Sequence, residues 1–375
     1  MPESLHAWGQ VKLGEILQEF SEKSVIENQY PLLSSTNTGI EYRDGRVSGE
    51  HNVGYKIIDQ GDLVFSPQNL WLGNININHL GRGIVSPSYK TMKIVNYEAG
   101  FLEPILRSEH MLNQYKLASI QGASVVRRNL DPALFDEIEV PYPGLEEQRK
   151  VAAIFEQIES AVALHQRKLS KLQETKKSLL QNMFPAEGED RPKIRFAGYT
   201  YAWGQVKLGD IADRITRKNA NLESNLPLTI SAQYGLIDQN EFFDKRIASK
   251  DISGYYLLRK GEYAYNKSTS NDAPWGAVKR LEKYDKGVVS TLYIVFSLRS
   301  NIDSDYFATY YSTDLWHRGI QEIASEGARN HGLLNIAPND FFNTAIKAPK
   351  SLEEQKKIGS FFQSLDAMVA LHQRN

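Results

Sequence analysis

WGQVKLG, residues Trp8 to Gly14, recurs letter for letter as Trp203 to Gly209, and VALHQR, Val162 to Arg167, recurs as Val369 to Arg374. Two identical strings in the same order mark a tandem duplication. The offset between copies is 195 at WGQVKLG and 200 where Gly61-Asp62-Leu63-Val64-Phe65 meets Gly261-Glu262-Tyr263-Ala264-Tyr265. It is 204 where GIVSPSY (Gly83 to Tyr89) meets GVVSTLY (Gly287 to Tyr293), and 207 at EEQRK (Glu146 to Lys150) and EEQKK (Glu353 to Lys357). The framework strings match while the stretches between them differ in length, as a shared scaffold with different surface loops would.

Each copy divides by periodicity. Its first part holds short apolar runs such as YKIIDQGDLVFS and TMKIV, rich in β-branched and aromatic residues and broken by Gly, Pro and Asn. This reads as a mixed α/β module with a twisted sheet, its closing strands IEVPYP and TAIKAPK running into a proline-bearing turn. Its second part is a helix. Ser351 and Glu354 read as a capping box, each side chain satisfying an orphan backbone N–H, and in the first copy Gly144 takes the cap position. The first helix is expected from about Glu146 to Phe184, where Pro185 blocks continuation. Val151, Phe155, Ile158, Val162, His165, Leu169 and Leu172 begin a heptad seam that continues through Lys176, Leu179 and Met183. Ile358, Phe362, Leu365, Val369 and His372 repeat it in the second copy. So narrow a seam on so long a helix finds its natural partner in its twin, and the matched histidines, polar in an apolar seam, are expected to set register.

The resulting division is a module over residues 1–145, a spacer helix over 146–184, a segment of linker composition over 185–200, a second module over 201–352 and a shorter helix over 353–375. By the last offset Asn375 corresponds to Lys168, so an antiparallel pair would leave the seam near Val151, Phe155 and Ile158 open to a partner subunit or a second chain. Trp8 and Trp203, inside the repeated framework, are expected to fill cores.

Composition narrows the function. A chain of 375 residues exceeds the size at which one core stops growing. No stretch reaches the roughly 18 apolar residues of a membrane span, the N-terminus lacks the regions of a signal peptide, and a cytoplasmic protein is expected. Without cysteine there is no disulfide, thiolate nucleophile or cysteine-ligated zinc, and the eight histidines form no HxH or HExxH pair. The net charge of −1 is uneven: residues 1–145 hold 12 basic and 17 acidic side chains. Such a balance lacks the basic excess of a stand-alone nucleic-acid binder.

No catalytic apparatus is recognisable. The chain has no phosphate-cradling GxxxxGKS or GxxxxGKT loop, no GxGxxG after a strand and no NPPY-like string of the kind that positions an amino group for methyl transfer. Nothing orders Ser, His and Asp into a triad, and no metal site is expected. Several loops could instead touch nucleic acid. Asn266-Lys267-Ser268-Thr269-Ser270-Asn271 presents donors and acceptors suited to phosphates and base edges, and Ser66-Pro67-Gln68-Asn69-Leu70-Trp71 is its counterpart. Arg127-Arg128-Asn129 and Arg329-Asn330-His331 hold similar places, and arginine pairs bidentately with guanine as asparagine does with adenine. Polar hairpin loops and surface charge runs are the plainer readings of these stretches.

The order module, long helix, module, long helix, with WGQVKLGEI and KGEYAYNKS and with PGLEEQRK and PKSLEEQKKI introducing the helices, resembles the specificity (S) subunit of Type I restriction-modification enzymes over essentially the whole chain. The resemblance implies two target recognition domains separated by long helices that pair as an antiparallel coiled coil, each reading one half of a split double-stranded DNA site. It implies helices that set the gap and hold methyltransferase (M) subunits, with restriction (R) subunits joining to make the nuclease. S-adenosylmethionine would belong to M, and ATP and Mg to R, none being bound by this chain. An assembly adaptor that engages M subunits without directing modification is the competing reading. A chain that combines DNA reading with its own catalysis is a third.

Overall fold

The structure, a computed structural model, describes residues 8–43, 51–121, 127–231, 234–245, 247–271, 273–324 and 332–374. Two compact units divide at Leu164 and His165, inside the first long helix. Each is mixed α/β, and the two share one sheet plan.

In the first unit the antiparallel strand order is Leu17–Glu19, Lys90–Ile94, Leu63–Phe65, Ile75–Ile77. In the second it is Ala212–Ile215, Ile294–Leu298, Tyr263–Asn266, Ala277–Arg280. The inner strand is apolar on both faces because both are covered. Leu63 and Phe65 enter one core while Val64 enters another, and Tyr263 and Tyr265 separate from Ala264 in the same way. That is the two-residue alternation of a strand in a buried sheet. The glycine before it, Gly61 at φ +90° and Gly261 at φ +87°, makes a left-handed turn that a side chain would strain.

The repeated opening string has a structural task. Gly9–Lys12 pairs antiparallel with Glu139–Tyr142, and Gly204–Lys207 with Ala345–Ala348. Each module therefore closes its beginning onto the strand that feeds its long helix. Those helices run over Leu145–Asn182 and Leu352–Arg374.

A glutamine fastens helix to module in both copies. The fully buried Gln148 accepts the Glu98 N–H at 2.9 Å and donates to the Pro143 carbonyl at 2.8 Å. Gln355 accepts the Asp303 N–H at 2.8 Å and donates to the Pro349 carbonyl at 2.8 Å. Glu98 and Asp303 hold the N-cap positions of the helices Ala99–Leu106 and Ser304–Tyr310, so the carboxamide joins two helix starts and the proline that follows the preceding strand. Behind it the helices touch through a small residue. A Cβ on Gly100 would stand 3.2 Å from the Ala152 Cβ, and one on Gly359 2.6 Å from both the Asp305 Cβ and the Tyr306 nitrogen.

In the second unit the first long helix, from His165 onward, packs antiparallel on Leu352–Arg374. His165 faces His372 with ring centroids 5.7 Å apart, Lys176 pairs with Asp366, and Phe184 meets Phe362 at 6.2 Å. The two matched histidines therefore face each other across the helix pair.

Three expectations need correction. The Ser351–Glu354 capping box is only half made: the Glu354 N–H donates to Ser351 Oγ at 3.4 Å, but the Glu354 carboxylate is buried against Arg195, at 2.7 and 3.0 Å. A bidentate guanidinium offers a buried carboxylate a stronger partner than one backbone N–H. Trp203 is buried, but Trp8 is 48% exposed and donates its indole N–H to Glu147 at 3.2 Å. The segment 185–200 is fastened at several points: Ile194 donates to the Asn182 carbonyl at 2.9 Å, Phe196 packs on Phe361, and Lys347 Nζ reaches the Ala186 and Glu189 carbonyls at 3.0 and 2.7 Å.

Replacing Gln355 with Leu leaves the Asp303 N–H and Pro349 carbonyl without partners, at about 1–3 kcal/mol per buried group. Urea denaturation should show a loss of roughly 2–4 kcal/mol for Gln355→Leu, against less than about 0.5 kcal/mol for the exposed control Gln157→Leu. Equal effects would remove the glutamine clamp from the account.

Candidate nucleic-acid interface

In the first module two candidate loops meet, and in the second, loop 266–271 meets residues 332–334. In the first, the Arg128 N–H donates to the Gln68 carbonyl at 3.1 Å, joining 66–71 to 127–129. In the second, the Thr269 N–H donates to Gly332 O at 2.6 Å, the Leu334 N–H to Lys267 O at 2.9 Å, and Ser268 bridges Leu333. Loop 266–271 therefore lies against the residues that follow Arg329, Asn330 and His331, which are themselves outside the described residues.

In the first unit the second partner is an antiparallel two-stranded ribbon, Ser119–Gln121 with Arg128–Leu130. Ile120 stands opposite Asn129 and Gln121 opposite Arg128. Gln68, Gln121, Arg127 and Asn129 are exposed beside Ile120, which is 72% exposed. A ribbon of this kind fits the major groove, where amides and guanidinium read base edges and an aliphatic group meets the thymine methyl. Ile120 and Gln121 were missed from sequence because an isolated apolar residue and an isolated glutamine carry no motif. Their signal is the ribbon pairing.

Other candidates have internal work. Arg128 points back from the ribbon, its guanidinium donating to Ser119 Oγ at 2.8 Å, Ser119 O at 2.7 Å and Lys116 O at 3.2 Å. Lys116 lies in the last turn of helix Glu109–Leu117, whose unpaired carbonyls attract a cation. Asn69 is half-buried, and its Oδ1 is buried without a hydrogen-bond partner. Lys267 is also half-buried, with Nζ 3.4 Å from the Ile336 carbonyl, and desolvation pushes its pKa below the ordinary lysine value. Thr269 is half-buried, whereas Ser268 and Asn271 are exposed.

Among the described residues no three His, Cys, Asp or Glu side chains could hold a metal ion, and no helix is long and apolar enough to cross a membrane. A cavity of about 1410 Å³ in the second unit is lined by Leu180, Trp203, Tyr310, Arg318, Asp340 and Lys347 among others, none of them candidate residues.

With this geometry in view, comparison with known proteins gives the class. The sequence matches the Type I restriction modification DNA specificity domain over residues 7–174 and again over 202–375, and the chain belongs to that family. It is similar to the Type I restriction enzyme MjaVIII specificity subunit of Methanocaldococcus jannaschii, 25% identical over 225 residues, 55% of this chain and 49% of that protein. The match thus spans about half the length of that curated relative. Among solved structures, a Type-I restriction-modification system S subunit from M. genitalium shares the fold, with a TM-score of 0.55 and 12% identity over 100% of this chain and 93% of that one. The HsdS subunit from Thermoanaerobacter tengcongensis aligns with a TM-score of 0.46 and 20% identity over 100% of this chain and 94% of that one.

Arg128→Ala should loosen the ribbon and lower the unfolding free energy by about 1–3 kcal/mol, while leaving the salt dependence of any DNA binding unchanged. A flatter salt slope would instead place its charge on a phosphate.

Proposed function

We propose that this chain is the DNA-recognition subunit of a Type I restriction-modification enzyme, without catalytic activity of its own. Residues 1–145 read one half of a bipartite double-stranded site and residues 201–352 the other, while the long helices set the gap and dock methyltransferase subunits, to which restriction subunits add. S-adenosylmethionine belongs with the methyltransferase and ATP with Mg at the restriction subunit, and the assembly works in the cytoplasm.

The observation that supports this most is the repeated loop anchoring: 66–71 is bonded to 127–129 on the first module and 266–271 to 332–334 on the second, with unlike residues on one frame. A common frame with unlike loops is what two specificities on one scaffold require. The acidic balance of residues 1–145 is consistent with phosphate contacts supplied largely by partner subunits.

A gel shift with and without the methyltransferase subunit tests the reading. A site-specific complex is expected when both are present. Capture of the methyltransferase with no site-specific complex would make the chain an assembly adaptor, and methylation by the purified chain alone would make it an enzyme. Arg127→Ala should weaken binding on the order of tenfold or more through one half-site only, since a good bidentate contact contributes about 1–3 kcal/mol. Equal loss on every DNA sequence would assign Arg127 to phosphate.

A further inference from the structure

Each module carries a third loop whose frame recurs and whose tip does not. Ser35-Thr36-Asn37-Thr38-Gly39-Ile40 of the first module meets Ser231-Ala232-Gln233-Tyr234-Gly235-Leu236 of the second at an offset of 196. Serine, glycine and a branched aliphatic residue agree, and the three residues between serine and glycine differ. Both stretches turn an antiparallel hairpin, Leu33–Ser35 with Ile40–Tyr42 and Leu228–Ser231 with Gly235–Asp238. Ala232 and Gln233 lie outside the described residues.

The first hairpin is fastened to loop 66–71 through Ser35 and through its tip carbonyls. Asn74 Oδ1 accepts the Ser35 hydroxyl at 2.7 Å, and the Asn74 amide donates to Ser35 O at 3.0 Å. The Asn76 amide donates to Ser35 Oγ at 2.8 Å and to Thr36 O at 2.7 Å, and Arg107 donates to Asn37 O at 2.7 Å. Asn74 also closes the loop, its carbonyl accepting the Ser66 N–H at 3.0 Å. With Gln68 bonded to Arg128, hairpin tip, loop and ribbon stand joined in one row. In the second module both hairpin strands pack on Ala277–Arg280, the strand that follows loop 266–271.

The backbone of the first tip is held while Asn37, Thr38 and Glu41 are exposed. The Glu41 carboxylate is oriented: Oε1 accepts the Thr38 hydroxyl at 2.8 Å and lies 3.3 Å from Thr36 Oγ1. Among the described residues Oε2 accepts no hydrogen bond. A fixed carboxylate beside reading loops is repelled by phosphates and by base acceptors, and it pairs with a base amino group. We propose that Glu41 is a specificity-determining residue of the first module, its free oxygen accepting the N4 amino group of one cytosine in the major groove, with Thr38 as its positioning residue. Cytosine is favoured over adenine because its amino group adjoins a C–H, whereas that of adenine adjoins the N7 lone pair. Ile237 follows Gly235 at the distance at which Glu41 follows Gly39, so the contact belongs to one half-site only. The inference rests on the proposed DNA reading and names one residue that performs it.

The probe is a duplex DNA pool with a randomised stretch, sorted by gel shift with the full chain and its methyltransferase partner and then sequenced. The unaltered chain is expected to enrich a two-part motif in which one position of one part demands cytosine. Glu41→Gln, whose amide also donates and so tolerates the thymine O4, should cut the discrimination of cytosine from thymine there at least fivefold, the lower range of one good direct contact. The other part of the motif should be unchanged. Thr38→Ala should relax the same position more weakly. Both residues are exposed, so circular dichroism and melting temperature should not move. A motif indifferent to Glu41→Gln overturns the proposal and leaves the two-module reading intact, as does an equal rise in affinity for every sequence, which would make Glu41 only a charge near the phosphates. If the unaltered complex enriches no motif, the DNA-reading assignment itself falls, and this inference with it.

Discussion

A buried carboxamide holds each module to its helix. Gln148 and Gln355 each satisfy one part-buried N–H at the start of a module helix and the buried carbonyl of the proline that follows the strand leading into the long helix. Leaving such groups unpaired costs more than the bonds gain, so the joint is specified by penalty as much as by attraction. The small-residue contact behind it removes the remaining freedom. A Cβ belongs to Ala152 in one copy and to Asp305 in the other, and glycine stands opposite each time, at Gly100 and Gly359. The direction in which a module leaves its helix is therefore set locally, in the same way twice.

From that joint the division of labour follows. The repeated WGQVKLG strands pair with the strands feeding the helices, and the four-stranded sheets repeat one order. These are the parts that must agree between copies. The paired loops, 66–71 with 127–129 and 266–271 with 332–334, are held to the frame by backbone hydrogen bonds, leaving their side chains free to differ. Backbone anchoring of chemically variable loops lets one scaffold carry two specificities.

Much of this was legible in the sequence because it is periodic or repeated. The duplication, the strand-like LVF and YAY runs, and the heptad spacing from Leu169 to Met183 all reflect burial, and burial writes itself as apolar residues at regular intervals. What stayed hidden depends on partners distant in the chain. Gln148 belongs to no motif, the Glu354 carboxylate pairs with Arg195 in place of a cap, and Arg128, a natural reader by residue type, turns inward to the Ser119 hydroxyl and the Lys116 carbonyl. Trp8 and Trp203 stand in identical strings yet differ in exposure because only Trp203 has Phe184 against it. Identical local sequence cannot reveal such a difference.

The central claim is that two modules on one frame read two unlike halves of one DNA site. The measurement that tests it most directly is genome-wide methylation mapping in a host carrying this chain with its methyltransferase partner. The account predicts one asymmetric motif of two specific parts separated by a fixed stretch of unspecified bases. A contiguous motif, a palindrome, or two independent motifs methylated separately would contradict it.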